Sequence, residues 1–434
     1  MKRHVRNMVP ILRYGKDDMS RVFSRTQLDN SEYITAVNSI IADVRARGDK
    51  ALFEYAAKFD KQDINADSIL VSKEEIDKAY SVVDKELIES IRKAKASILE
   101  YHSRQRDKFA NEFFTSGTNG KSKLGWIYRP LSRVGLYVPG GKASYPSTVL
   151  MTALPAKAAG VKEIVVTTPN INNPAILVAC NECGIDKIYK VGGAQAIAAL
   201  AYGTQSIPRV DLIAGPGNVF VTLAKKQVFG HVAIDMIAGP SEILVIADDS
   251  ADPMLLAGDL LSQAEHDEQA ASILITTSET VAKEVDKELA RQTALLSRKD
   301  IIEKSLATNG TIILAKDMEE AIAIADKVAP EHLEVCAKNA DKIALKLSNA
   351  GAIFVGNYSP EPLGDYFAGP SHVLPTSGSA RYSSVLSVDT FMKKISYIEY
   401  DKDDLLSIGD DVIRLAQSEG FTAHANTIQL RKNK

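Results

Sequence analysis

Three cysteines in 434 residues are too few, and odd in number, for a disulfide framework, which points to a reducing cytosol. Two of them form Cys180-Asn-Glu-Cys183, a redox-type spacing, but there is no second pair to complete a zinc tetrad. The run Ile176-Leu-Val-Ala ahead of them reads as an apolar helix closed by Gly184, so the thiols are read as structural. No apolar run approaches the ~20 residues that span a bilayer. The basic start Met1-Lys-Arg-His has no apolar stretch behind it, so no secretory signal is expected. An excess of one charge is missing too. The 52 Lys and Arg against 55 Asp and Glu leave −3, which gives no reason to expect a nucleic-acid or membrane partner. Histidine is scarce, with only seven.

What is present is an average globular composition, 45% hydrophobic and 25% charged, in a chain too long for one ordinary core. The first part is mainly helical. Ala36 to Phe59 carries apolar residues at helical spacing, and the capping box Ser72-Lys-Glu-Glu75 opens a long helix towards Arg106. Ser68-Ile-Leu-Val71 hints at an isolated strand. From Arg133 strands and helices alternate. Strands are expected at Val134–Val138, Glu163–Thr168, Lys187–Val191 and Val210–Ala214, and then at Glu242–Ala247, Ser272–Thr277, Thr311–Leu314, His332–Cys336 and Ala352–Val355. Continuous apolar strands separated by helices indicate parallel sheets covered on both faces. Two such sheets are expected, each shorter than a full dinucleotide fold. After about Ser377 the alternation stops, and a final helix is expected near Asp410–Ser418.

In open α/β sheets ligands bind at the carboxyl ends of strands. Gly-rich corners stand there: Val138-Pro-Gly-Gly141, Val191-Gly-Gly-Ala-Gln195, Ala214-Gly-Pro-Gly-Asn218 and Ala238-Gly-Pro-Ser241. Four in succession favour a dinucleotide-sized ligand, although none is a G-x-G-x-x-G. Four histidines, His266, His332, His372 and His424, lie in the C-terminal part of the chain, and histidine is both a near-neutral base and the commonest metal ligand. Gln263 and His266 share a helix face and offer an oxygen and a nitrogen, a set suited to zinc or manganese; taken alone, the spacing favours a solvated helix end. Glu331-His332 begins a strand. An adjacent pair cannot share a strand face, but at the start of a strand both can splay into a cleft and serve proton abstraction and water activation. An exposed loop pair is the alternative. Asp365 is expected in a Gly/Pro-rich loop, and Glu419 and His424 in a tail that cannot form its own core, which suggests docking on this chain's site or a partner's.

With these motifs, and with Asp235-Met-Ile-Ala-Gly-Pro-Ser-Glu and Glu419-Gly-Phe-Thr-Ala-His424, the chain resembles the histidinol dehydrogenase family from about Val5 to Leu430. The resemblance implies a zinc ion held by Gln263, His266, Asp365 and His424, and Glu331 and His332 as proton acceptors. It implies that Ser241, His372 and Glu419 contact L-histidinol beside the zinc ligands and His332, and that Tyr137, Gln195 and Asn218 line an NAD site. It also implies a cytoplasmic homodimer whose tail, with Glu419 and His424, completes the partner's site. The implied reaction is the four-electron oxidation of L-histidinol to L-histidine by two NAD+ through a bound aldehyde.

The expected fold is therefore two incomplete doubly wound, Rossmann-like parallel-sheet domains with small terminal helical extensions. Residues 1–25 are expected as an arm. Residues 26–133 with 242–378 would form the metal-bearing domain, 134–241 the NAD side, and 379–434 the extension to the partner. Three rivals stand beside this reading. A cysteine-dependent aldehyde dehydrogenase would need a reactive Cys336. A relative acting on another amino alcohol or diol is opposed by Ser241, His372 and Glu419. A non-catalytic metal- or nucleotide-binding protein would need no Glu331-His332 base.

Overall fold

The computed structural model describes residues 7–24, 31–117, 119–140, 145–169 and 171–433; Gly141 of the first Gly-rich corner and the basic Met1-Lys-Arg-His start lie outside them. Two parallel sheets carry the fold. The five-stranded sheet runs Lys187–Tyr189, Glu163–Thr167, Arg133–Tyr137, Leu212–Ala214, Ala233–Ile234, every pair parallel. Its order turns about Arg133–Tyr137, with the second strand on one side and the fourth on the other, which opens a crevice at the carboxyl ends. The six-stranded sheet runs Ile11–Arg13, Thr311–Leu314, Ala271–Thr276, Glu242–Ala247, His332–Cys336, Ala352–Val355, again all parallel. Its central strands Glu242–Ala247, Ala271–Thr276 and His332–Cys336 are buried along their whole length, because helices cover both faces.

The two parallel sheets match the expected fold class. Several local expectations change. The long helix from Ser72 is two: Lys73–Val82 under the expected capping box, then Lys85–Arg106, restarted by Asp84, whose carboxylate accepts from Leu87 N. Asp365 lies within the short helix Glu361–Tyr366 and not in a loop; Pro360 and Pro362 disguise it, although proline is tolerated in a first turn. Ile11–Arg13, expected in an arm, is the edge strand paired with Thr311–Leu314. Leu70 makes only an isolated bridge to Tyr189. An antiparallel sheet, Met392–Glu399, Ser122–Pro130, Glu112–Ser116, was not anticipated, because its strands are largely exposed and lack a buried apolar run. The tail is a hairpin of two helices, Lys402–Ser418 and Thr422–Lys432. No helix among the described residues is long and apolar enough to cross a membrane.

Core packing departs from the grouping of residues 26–133 with the six-stranded sheet. Val37, Ile41, Val44 and Leu52 pack with Val165, Ile197, Leu200 and Ile213, and Ile88, Ile91 and Ile98 pack with Leu136, Met151 and Leu154. The N-terminal helices thus cover the five-stranded sheet, whose own crossover helices leave apolar faces to bury.

One buried ion pair fixes the main Gly-rich corner. Lys225 Nζ lies 2.5 Å from Asp235 Oδ1, with side chains 3% and 0% exposed. Lys225 also donates to the Gly215 carbonyl at 2.9 Å, and Gly215 N donates to Asp235 Oδ2 at 2.8 Å. Gly215 has φ +117°, and a Cβ there would lie 2.2 Å from the Tyr137 carbonyl oxygen, so only glycine fits. Removing one partner of such a pair strands a buried charge. Asp235→Ala is expected to lower unfolding free energy by about 3–5 kcal/mol in denaturant titration. A loss under about 1 kcal/mol would be the behaviour of an exposed pair and would contradict this account.

Candidate active site

The chemistry gathers at the amino ends of the six-stranded sheet, not the carboxyl ends where the Gly-rich corners had directed attention. The helix Met318–Val328 ends on Ala329, held in the left-handed region at φ 49°, and Pro330 follows. This reversal delivers Glu331 and His332 to the start of strand His332–Cys336. One residue of the neighbouring strand then holds both. Glu242 N donates to Glu331 Oε2 at 2.8 Å, and the Glu242 carbonyl faces His332 Nδ1 at 2.9 Å. Since a carbonyl can only accept, His332 carries its proton on Nδ1 and presents the Nε2 lone pair. Both side chains are buried, at 6% and 4% exposure, so the exposed-loop alternative is set aside.

His332 Nε2 lies 3.9 Å from Glu361 Oε1 and 4.0 Å from Asp365 Oδ1. Burial pushes the His332 pKa down to about 4 against the opposing pull of Asp365, so the imidazole is neutral near pH 7. Burial pushes the Glu331 carboxyl well above its usual range, only partly offset by the Glu242 N–H. His372 faces the Asp365 carbonyl through Nδ1 at 3.1 Å and Thr148 Oγ1 through Nε2 at 3.3 Å, and burial lowers its pKa too. Ser241 stands immediately before strand Glu242–Ala247, and its carbonyl accepts from Ala271 N at 3.0 Å.

Gln263 lies in the last turn of Pro253–Ala264 and is fully buried; His266 follows just past the helix end. One ligand-type atom each from His266, Glu361 and Asp365 lies within 4.8 Å of the others. Four buried polar atoms, Gln263 Oε1 and Nε2, His332 Nε2 and Glu361 Oε1, have no hydrogen-bond partner among the described residues. Buried polar atoms are normally satisfied, so this convergence of nitrogen and oxygen atoms suits a bound metal and a polar substrate. The solvated-helix-end reading of Gln263 fails on its burial. Glu361 is the residue the sequence does not announce. Once residues 361–366 are known to be helical, its i,i+4 spacing to Asp365 gives the signal. From His266 a cleft of about 380 Å³ opens, lined by Ile91, Tyr145, Leu150, Tyr366 and Phe367.

His424 and Glu419 are not brought into this cluster. Both are exposed on the tail hairpin, where the His424 ring lies 4.9 Å from that of Phe421. Few residues of the hairpin are buried, and Ile408, Leu415, Phe421 and Leu430 are exposed.

Tyr137, Gln195 and Asn218 lie at the carboxyl ends of the five-stranded sheet. The Tyr137 hydroxyl accepts from Gly193 N at 3.0 Å, and burial raises its pKa to about 12. Gln195 is buried in the helix that follows Gly193, and Asn218 caps Val219–Val228 by accepting from Phe220 N and Val221 N. Because the Tyr137 carbonyl abuts Gly215 while its hydroxyl meets Gly193, this one residue joins the two Gly-rich corners.

Behind the site, half-buried Asp259 and buried Glu334 form a carboxyl pair beside Cys336. Glu334 Oε1 accepts from Glu361 N at 2.7 Å. Burial raises the pKa of both acids; Asp259 raises that of Glu334 further, to about 9, whereas the hydrogen bond from Glu334 lowers that of Asp259, so Glu334 carries the proton and Asp259 accepts it. Cys336 is pushed up to about 12 by burial and these acids, which makes it no nucleophile. Cys180 and Cys183 are likewise buried free thiols raised by burial.

Residues 23–432 match the histidinol dehydrogenase family. The histidinol dehydrogenase of Clostridium acetobutylicum is 51% identical over 433 residues, covering 98% of this chain and 99% of its own length. That of Heliobacterium mobile is 49% identical, covering 98% and 100%. The crystal structure of histidinol dehydrogenase from Elizabethkingia anophelis superimposes with a TM-score of 0.91 at 37% identity, covering 99% of both chains.

The carboxyl pair has a signature in stability. Glu334 holds its proton more tightly folded than unfolded, so its contribution is fully present below the unfolded pKa of about 4.3 and is lost as pH rises towards the raised folded value. Glu334→Gln carries no such proton. The melting temperature of the variant relative to the parent is expected to climb steadily from pH 5 to pH 9. A difference independent of pH would show that Glu334 is ionised in the fold.

Proposed function

Because the chain belongs to the histidinol dehydrogenase family, we propose that it oxidises L-histidinol to L-histidine in two NAD-linked steps, at the site built on Glu331 and His332. The observation that carries this reading is the His332 imidazole. It is neutral, pinned through Nδ1 to the Glu242 carbonyl, and its buried Nε2 lone pair lacks a protein donor. Such an atom is placed to take a proton from a bound alcohol.

Gln263, His266 and Asp365 supply an oxygen, a nitrogen and a carboxylate towards a zinc ion, and His424 of the partner subunit would complete the set. When bound, zinc would supply Lewis-acid chemistry and a template for the substrate. Tyr137, Gln195 and Asn218 would hold NAD+, which when bound would supply a hydride acceptor for each oxidation. His332 takes the hydroxyl proton in the first oxidation. Glu331 takes a proton from the water that adds to the aldehyde carbonyl; its environment disfavours the bare carboxylate, which makes that carboxylate the stronger base. His332 then takes the hydroxyl proton of the hydrate in the second oxidation. Ser241 and His372, with Glu419 of the partner subunit, orient the substrate. Keeping the aldehyde in a closed site prevents its loss to water.

The division of labour is between the five-stranded sheet as NAD side and the six-stranded sheet as metal and base side, with 379–434 reaching the partner. Three facts support the shared site: His424 and Glu419 lie outside their own chain's cluster, the tail buries little, and its apolar residues are exposed. The cytoplasm, where NAD turns over, is the natural compartment for this chemistry.

Chelation is expected to abolish NADH formation from histidinol, and added zinc to restore it; full activity in a verified metal-free sample would remove the metal from the scheme. His332→Asn should cut kcat roughly 10²–10⁴-fold with little change in histidinol binding. A loss confined to binding would reassign the residue. Mixing His332→Asn with His424→Asn protomers should restore roughly a quarter of parental activity, because random C2 pairing leaves one intact site in each mixed dimer. Recovery no better than either variant alone would mean that the tail serves its own chain.

A further inference from the structure

The five-stranded sheet has the strand order of a dinucleotide-binding half but lacks that half's usual acid. In such folds the carboxylate that holds the adenosine ribose follows the second strand. Here that strand, Glu163–Thr167, runs on into Thr168 and Pro169, with no acid. The place is filled from elsewhere in the chain. Asp60 ends the π-helical segment Ala56–Asp60. Its Oδ2 accepts from Gly192 N at 3.0 Å and from Gln195 Nε2 at 3.3 Å. Gln62, two residues on, donates to the Pro169 carbonyl, so this segment straddles the ends of the second and third strands. The same corner carries the Gly193 N–H bonded to the Tyr137 hydroxyl. Asp60 thus shares its surroundings with two of the three residues proposed to line the NAD site. Both of its bonds fall on Oδ2, which leaves Oδ1 as an acceptor.

We propose that Asp60 accepts hydrogen bonds from the adenosine ribose diol of NAD and that its charge bars a 2′-phosphate, making it the residue that selects NAD over NADP. This rests on the NAD reading above. The neighbours sharpen the selection. Lys61 Nζ donates to the Lys58 carbonyl, and Lys58 Nζ lies 5.2 Å from the Phe59 ring centre, so two cations stand close by in sequence. With the carboxylate neutralised, the segment 58–63 keeps two lysines against the one acid Asp63, which tolerates a phosphate better.

The test is calorimetric titration of the purified protein with NAD+, NADP+ and 2′-deoxy-NAD+, for the parent, Asp60→Asn and Asp60→Ala. Asparagine keeps an oxygen for Gly192 N, which protects the corner. Loss of a hydrogen bond to a charged group should weaken NAD+ roughly tenfold or more, and the NADP+/NAD+ affinity ratio should rise by at least as much in both variants. The parent should bind 2′-deoxy-NAD+ roughly tenfold more weakly than NAD+, and Asp60→Ala should bind the two alike. Equal weakening of NAD+ and NADP+, or no penalty for the missing 2′-hydroxyl in the parent, would reduce Asp60 to a brace for Gly192 and overturn the proposal. Absence of NAD+ binding by the parent would instead bring down the cofactor reading itself.

Discussion

The site depends on strand register. Glu242 offers its N–H to Glu331 and its carbonyl to His332, and it can do both only while His332–Cys336 lies parallel to Glu242–Ala247 with His332 opposite Ile243. A shift by one residue would turn every side chain to the other face. Both strands are buried on both faces, and a slip would drive His332 and Glu334 onto the face where Leu333 and Val335 pack with Leu244 and Ile246, so it is prohibitively costly. Core packing thereby sets the tautomer of a reactive imidazole, with no side-chain donor or acceptor needed for the purpose. Gly351 extends the constraint. A Cβ there would lie 2.5 Å from the Glu331 carbonyl oxygen, so the residue just before the neighbouring strand must be glycine for Glu331 to sit where it does.

Around that grip the electrostatics are lopsided. Glu331, Glu334, Glu361, Asp259 and Asp365 crowd one buried region, and among the described residues none of them forms a salt bridge with lysine or arginine. Buried carboxyls without cations must take up protons or receive a metal. The two halves of the cluster divide these solutions. The Asp259–Glu334 pair, away from the cleft, shares a proton. The His266, Glu361 and Asp365 group, beside the cleft, has the geometry for a cation. The contact from Glu361 N to Glu334 links them, so the singly protonated pair steadies the helix that carries Asp365.

Much of this is legible in the residues, and the exceptions have physical causes. The strands Glu242–Ala247, Thr311–Leu314, His332–Cys336 and Ala352–Val355 coincide with their apolar runs, since most of these runs are buried on both faces. Glu331 and His332 are readable as a pair at a strand start. Their convergence is not, because it comes from a partner 90 residues away in sequence. Gln263 has the spacing of an ordinary polar helix end, and only the tertiary fold tells burial from solvation. Glu361 hides between two prolines. The antiparallel sheet carries half-exposed side chains, the pattern that sequence periodicity reports least well. The exposed His424 and Glu419 point, if anywhere, to a second molecule.

The edge strand Ile11–Arg13 gives the fold a chronology. It leaves the ribosome first, yet its partner Thr311–Leu314 is made roughly 300 residues later, which at ~5–20 residues per second leaves it waiting for tens of seconds. The five-stranded sheet draws all its strands from one continuous stretch between Arg133 and Ile234, and so can close while the other sheet is half made. The six-stranded sheet must wait for Val355. The pairing that sets His332 against Glu242 therefore belongs to a late stage of synthesis, and the nascent chain has its five-stranded sheet before it has the Glu331 and His332 pair in place.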